Sequence, residues 1–164
     1  MTVRWLPAMA LSIVVLLTGC APAAPPQSNT GDTTENTMTA EKSGTGEVRS
    51  DLEPLTSRFP QLGTAESAIW LSGTLGGDRV PGPKTYWIDA VVVLPAAEYD
   101  ALRSLYSYEP AVEAPDVVDA LKDSVPSPLL VSDDLDTEFS QGEFRSEVFL
   151  NDETRSVVVV SVFQ

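Results

Sequence analysis

The most regular stretch of the chain runs over residues 85–94, where Tyr86, Trp87, Ile88, Val91, Val92 and Val93 are aromatic or β-branched. Such side chains fit a pleated surface, so the run predicts a strand. Period-two alternation puts Tyr86, Ile88, Ala90, Val92 and Leu94 on one face and Trp87, Asp89, Val91 and Val93 on the other. The charge at Asp89 marks the second face as the one expected to be partly wet. Upstream, Ile69-Trp70-Leu71 opens another short strand, and the glycine- and proline-dense stretch 73–83 between the two predicts a loop. Downstream, Pro95 suits a first helical position, and Tyr99, Leu102, Leu105 and Tyr106 recur at helical spacing with Glu98, Asp100 and Arg103 outward. This predicts a helix over 95–107, stopped by Pro110. A second helix is expected over 115–124, started by Pro115, striped by Val118, Leu121 and Val125, and ended by Pro126 and Pro128. Residues 129–136 leave the assignment open, a short strand running into an acidic turn being one reading. Phe144, Val148 and Leu150 alternate with Arg145 and Glu147, residues 151–154 read as a turn, and 156–163 is a β-branched strand, so the chain closes on a hairpin. The order predicts an α+β domain: an antiparallel sheet of about four strands with two helices packed on one face.

Residues 21–50 break this pattern. They are Ala, Pro, Ser, Thr, Gly, Asn and acidic residues with almost no large apolar side chain. Too little apolar surface is available there to offset an ordering cost of about 1–2 kcal/mol per residue, so a disordered tether is expected. About 30 coil residues give a root-mean-square reach of roughly 30 Å.

The first twenty residues have a third character. Arg4 precedes an apolar run over 6–17, which is too short for a stable helix across a hydrocarbon core about 30 Å thick and fits the apolar region of a signal peptide. The run ends in Leu17-Thr18-Gly19-Cys20. This segment resembles the lipobox signal peptide of bacterial lipoproteins. The resemblance implies cleavage before Cys20, with Leu17, Thr18 and Gly19 read by the signal peptidase, and a lipid on the Cys20 thiol. It implies a location on the extracytoplasmic face of a cell membrane, and it says nothing of activity. The expected organisation is a signal peptide over 1–19, a lipidated cysteine and linker over 20–50, and a small acidic domain over 51–164. The run from Leu71-Ser72-Gly73-Thr74-Leu75 through Val80-Pro81-Gly82-Pro83 to Tyr86-Trp87 is also similar to small actinobacterial lipoproteins, a likeness that transfers no function.

Charge narrows the partners. The formal net charge is −14; after removal of Arg4, 9 basic and 24 acidic groups leave −15. Such a surface repels phosphate backbones and anionic head groups, so no nucleic acid partner is expected and the membrane link must be covalent. The chain has no histidine, which removes the usual general base and the commonest metal ligand. Its single cysteine excludes an intramolecular disulfide. No cofactor is implied.

Several groups invite a functional reading. The loop over 73–83 carries Arg79 and is followed by Lys84, with Trp70 and Trp87 on its flanks, two cations on an acidic protein beside aromatic rings. These four residues are the candidate partner contacts, since loops held by a sheet often bind. A phosphate loop would need Lys-Ser/Thr after its glycines, and Pro81-Gly82-Pro83 stands there instead. Asp133, Asp134, Asp136 and Glu138 offer oxygen ligands to a hard cation, yet the glycine of an EF-hand loop is missing. No serine has a histidine or Ser-x-x-Lys partner, so no metal or catalytic residue is assigned. Tyr106 and Tyr108 close the first helix. The preferred expectation is a membrane-anchored, non-enzymatic accessory module for an envelope protein or cell-wall component. A carboxylate-based envelope hydrolase and a weak cation-binding surface protein are the alternatives.

Overall fold

The β-branched C-terminal hairpin is the spine of the domain. The computed structural model describes residues 42–43, 46–76 and 83–164. Strands β6 (Phe144–Asn151) and β7 (Ser156–Phe163) pair antiparallel along their whole length, from Phe144 opposite Phe163 to Asn151 opposite Ser156. The tight turn works because the Asn151 carboxamide oxygen accepts the Thr154 N–H at 2.8 Å and Arg155 takes a left-handed φ of 54°. On one side β7 pairs with β3 (Thr85–Val93), β3 with β2 (Ser67–Leu75), and β2 with the two-residue β1 (Lys42–Ser43). On the other side β6 pairs with β5 (Leu130–Val131), and β5 with β4 (Glu109–Pro110). The result is an α+β fold on a seven-stranded antiparallel sheet in the order β1-β2-β3-β7-β6-β5-β4.

Both faces of the sheet are covered. Helices α1 (Glu53–Arg58), α2 (Ala96–Leu105) and α4 (Asp133–Phe139), with a 3₁₀ turn at Pro60–Leu62, pack on the first face. There Leu55, Phe59, Leu62, Tyr99, Leu102, Leu135 and Phe139 meet Trp70, Ile88, Ala90, Val92, Val148, Leu150, Val157 and Val159. On the second face Val117 and Leu121, the latter from the single-turn helix α3 (Asp119–Lys122), pack against Leu71, Trp87, Val91, Phe149 and Val158.

Five expectations change. Among the described residues the sheet has seven strands and the domain four helices, because the two-residue strands are too short to show a period and Leu55, Phe59 and Leu62 lie in a stretch broken by Pro54 and Pro60. The helix expected over 115–124 shrinks to Asp119–Lys122 and crosses to the opposite face; Val118 ahead of it is extended (φ −59°, ψ 149°), and its N–H goes to Asp89 at 2.8 Å. The acidic stretch over 133–138 is helical, its Asp133, Asp134 and Asp136 in the first turn where the helix dipole favours negative charge. Asp89 is 0% exposed rather than wet, since the 111–131 segment lays a second layer over its face. The sheet also begins within the stretch expected to be tether: Lys42 and Ser43 pair with Leu75 and Thr74, and Arg49 bridges Trp70 through two 2.9 Å backbone hydrogen bonds.

Candidate functional site

Strand register arranges the second face in three cross-strand rows. Ile69, Val91, Val158 and Phe149 form one row; Leu71, Asp89, Val160 and Glu147 the next; Gly73, Trp87, Val162 and Arg145 the third. Val117 and Leu121 cover the first row. Over the other two, an open groove of about 1170 Å³ runs between β1 and α3, and its lining includes Lys42, Leu71, Asp116, Lys122, Val160 and Val162. Val160 and Val162 are half-buried on its floor, while Arg145 and Glu147 are exposed at the β6 side.

One charge cluster lies in the wall of this groove at Lys42. Lys42 Nζ donates to both Asp89 carboxylate oxygens at 2.9 Å and also to the Asp116 backbone carbonyl. The Val118 N–H gives Asp89 a further hydrogen bond. The ammonium stands 5.7 Å from the centroid of the Trp87 ring, within cation–π range. Trp87 Nε1–H is shared between the Ser43 carbonyl at 3.2 Å and the Thr74 carbonyl at 3.1 Å. Asp89 thus joins β1, β3 and the chain entering α3. Burial pushes its carboxyl above the usual 3.8; the Lys42 hydrogen bond and charge and the Val118 N–H oppose that shift, and Asp116 adds to it.

Trp70 and Trp87, expected above as partner contacts, lie in the core. They are 2% and 0% exposed, one in each core cluster. Trp70 Nε1–H donates to the Asp51 carbonyl at 2.9 Å, and the Arg49 guanidinium lies 4.0 Å over its ring. Lys84 is exposed just before β3. Arg79 lies outside the described residues, as do Leu17, Thr18, Gly19 and Cys20. Of the three candidate contacts among the described residues, Trp87 is the one beside the groove, buried beneath Lys42 in its wall.

No protein family, curated protein or solved structure matches the chain. What the domain does must be argued from its own chemistry.

The other polar clusters are occupied with holding the fold. The Asp136 carboxylate accepts the Val148 N–H at 2.7 Å, and Ser140 Oγ accepts the Ser146 N–H at 2.8 Å. These side chains cap the β6 edge that β5 leaves unpaired. Burial also raises the Asp136 carboxyl, with the Val148 N–H opposing. Among the described residues no three acidic side chains converge as metal ligands. Tyr99 donates to Asp152 at 2.7 Å, Arg103 binds the same oxygen at 3.1 Å and stacks on Tyr108 at 4.6 Å. That cluster docks α2 onto the hairpin turn.

Sequence reasoning missed Lys42, Asp116 and Asp89 as a unit. A signal existed: one aspartate amid aromatic and β-branched residues must find a cation if its strand is central, and Lys42 is a basic residue set among small polar ones. Nothing in the sequence joins positions 47 residues apart.

Proposed function

We propose that the chain is a lipid-anchored accessory protein of the extracytoplasmic membrane face, which binds an envelope component in the groove on the second sheet face without performing chemistry on it. Cys20 carries the lipid, and the polar stretch after it sets the domain off from the bilayer. The observation that carries the binding reading is the open half of the groove, where Val160 and Val162 lie beside exposed Arg145 and Glu147 on a rigid sheet. Apolar floor with a few charged groups at the rim is the usual make-up of a ligand cleft. Asp89 beside the groove is buried and committed to Lys42 and the Val118 N–H, so its carboxylate serves the fold.

Two experiments test this. A photo-crosslinking residue at Val162, used in intact cells, is expected to capture one dominant envelope partner, while the same probe at Ala97, exposed on α2, captures none. Equal capture from both positions refutes the groove. Metabolic labelling with a palmitate analogue is expected to mark the wild type and not Cys20→Ser; labelled Cys20→Ser protein refutes the anchor.

A further inference from the structure

The Lys42 head group sits in a cage of three unlike partners. Two Asp89 oxygens and the Asp116 carbonyl accept its three N–H donors, and the Trp87 ring stands beneath the charge. Carboxylate, carbonyl and aromatic face together satisfy both the donors and the charge of a primary ammonium. The cation is obligatory, because Asp89 is 0% exposed and an unpaired carboxylate at that depth is strongly disfavoured. Its supplier, Lys42, stands on β1, which pairs with β2. Strand β1 pairs with Leu75 and Thr74, and Ser43 is held by Oγ hydrogen bonds to the carbonyls of Thr74 at 3.1 Å and Gly76 at 3.2 Å and by the Trp87 Nε1–H. The groove opens beside the cage, with Lys42 itself in its wall and Asp116 and Glu147 on its rim against Arg145; the Lys122 charge is taken by Asp119 at 2.7 Å.

We infer that this cage is a binding site for a primary alkylammonium group, filled in cis by Lys42 and open to an amine that arrives through the groove. This assigns a ligand chemistry to the groove of the binding module and so rests on that reading. An arriving amine and the Lys42 side chain compete for one carboxylate. Occupation from the groove therefore releases the Lys42 side chain and loosens β1, which Ser43 still ties to β2, and displacement of β1 opens the cage; the two events are reciprocally coupled.

The test is complementation of Lys42→Ala in the otherwise intact chain by n-butylammonium, which matches the lost side chain. Tetramethylammonium and n-butanol at equal ionic strength are the controls. Expected is a saturable rise in melting temperature with n-butylammonium alone, and the loss of that response in Lys42→Ala/Asp89→Asn. Equal responses to the three additives, or a response that survives Asp89→Asn, overturn the assignment. If Lys42→Ala is unfolded at neutral pH, the amine is added during refolding: recovery of native tryptophan emission supports the site, and none overturns it. A partner crosslinked from Val162 without any amine effect removes the ammonium site and leaves the binding module standing. An amine effect without a crosslink does the reverse.

Discussion

Breaking the Lys42–Asp89 pair from either side should have unequal costs. At 2.9 Å and an effective dielectric constant of about 20, the gross attraction is about 6 kcal/mol. Burying two charges costs several kcal/mol per ion, so the intact pair contributes little net stability. The Lys42 side chain is 15% exposed on an edge strand, whereas the Asp89 side chain is 0% exposed. Lys42→Ala strands a carboxylate in the core with one N–H donor and is expected to cost about 3–5 kcal/mol at pH 7. Asp89→Val leaves an ammonium that can swing into the groove, at a cost of about 1–2 kcal/mol. Lys42→Ala/Asp89→Val should be no worse than Asp89→Val alone, which makes the coupling in a double-mutant cycle about 3–5 kcal/mol, the whole cost of Lys42→Ala. Urea unfolding followed by circular dichroism measures all four proteins, with unchanged m-values as the check on two-state behaviour. The cost of Lys42→Ala should also shrink as pH falls toward 4, because the stranded acid then takes a proton. Equal costs for the two single variants, or a Lys42→Ala cost that does not change with pH, would show that Asp89 is solvated and would refute the buried pair.

Further outcomes follow from other parts of the fold. The folded-state pKa of Asp89 and Asp136 lies above the ordinary 3.8, so the stability tied to their neutral forms is complete below that value and lost as pH rises through the folded values. Stability measured from pH 4 to 7 should fall in the wild type, and the fall should be smaller in Asp136→Asn. At alkaline pH the sign is the same: burial raises Tyr99 and lifts Tyr108 to about 12, so stability declines as pH climbs above 10.0. Tyr99→Phe should cost about 1–2 kcal/mol at pH 7 through its lost hydrogen bond to Asp152, and should flatten part of that alkaline decline when both proteins are melted at pH 9 to 11. Phe139→Ala empties the stack against Phe59, whose ring centroid is 5.9 Å away, and should cost about 3–5 kcal/mol by the same urea measurement. Gly63→Ala forces a side chain onto φ 56° and brings its Cβ to 3.0 Å from the Glu98 carboxylate, for about 1–2 kcal/mol. A melting temperature unchanged by Gly63→Ala would show that this turn relaxes freely.

What the sequence determined by itself is the part governed by local periodicity. The alternation over 85–94 and 144–163 is enough to place β3 and the hairpin, since side-chain period and β-branching act within a strand. Helical spacing from Tyr99 to Leu102 likewise places α2. The resemblance to a lipobox and the polar composition over 21–50 are local signals too, and they carry the expected anchor. Tertiary structure decided everything that depends on a second layer. The alternation of β3 separates two faces without saying that both are covered, so Asp89 reads as a solvent residue until Val117 and Leu121 are laid over its neighbours. Strands of two residues have no period to read: β1 and β5 form on the edges of longer strands, and β4 pairs in turn with β5. The cage around Lys42 needs a head group, a carboxylate and a carbonyl from positions 42, 89 and 116. Register and burial bring those positions together, because a buried carboxylate must be paired and the sheet leaves one half-buried edge lysine within reach of it.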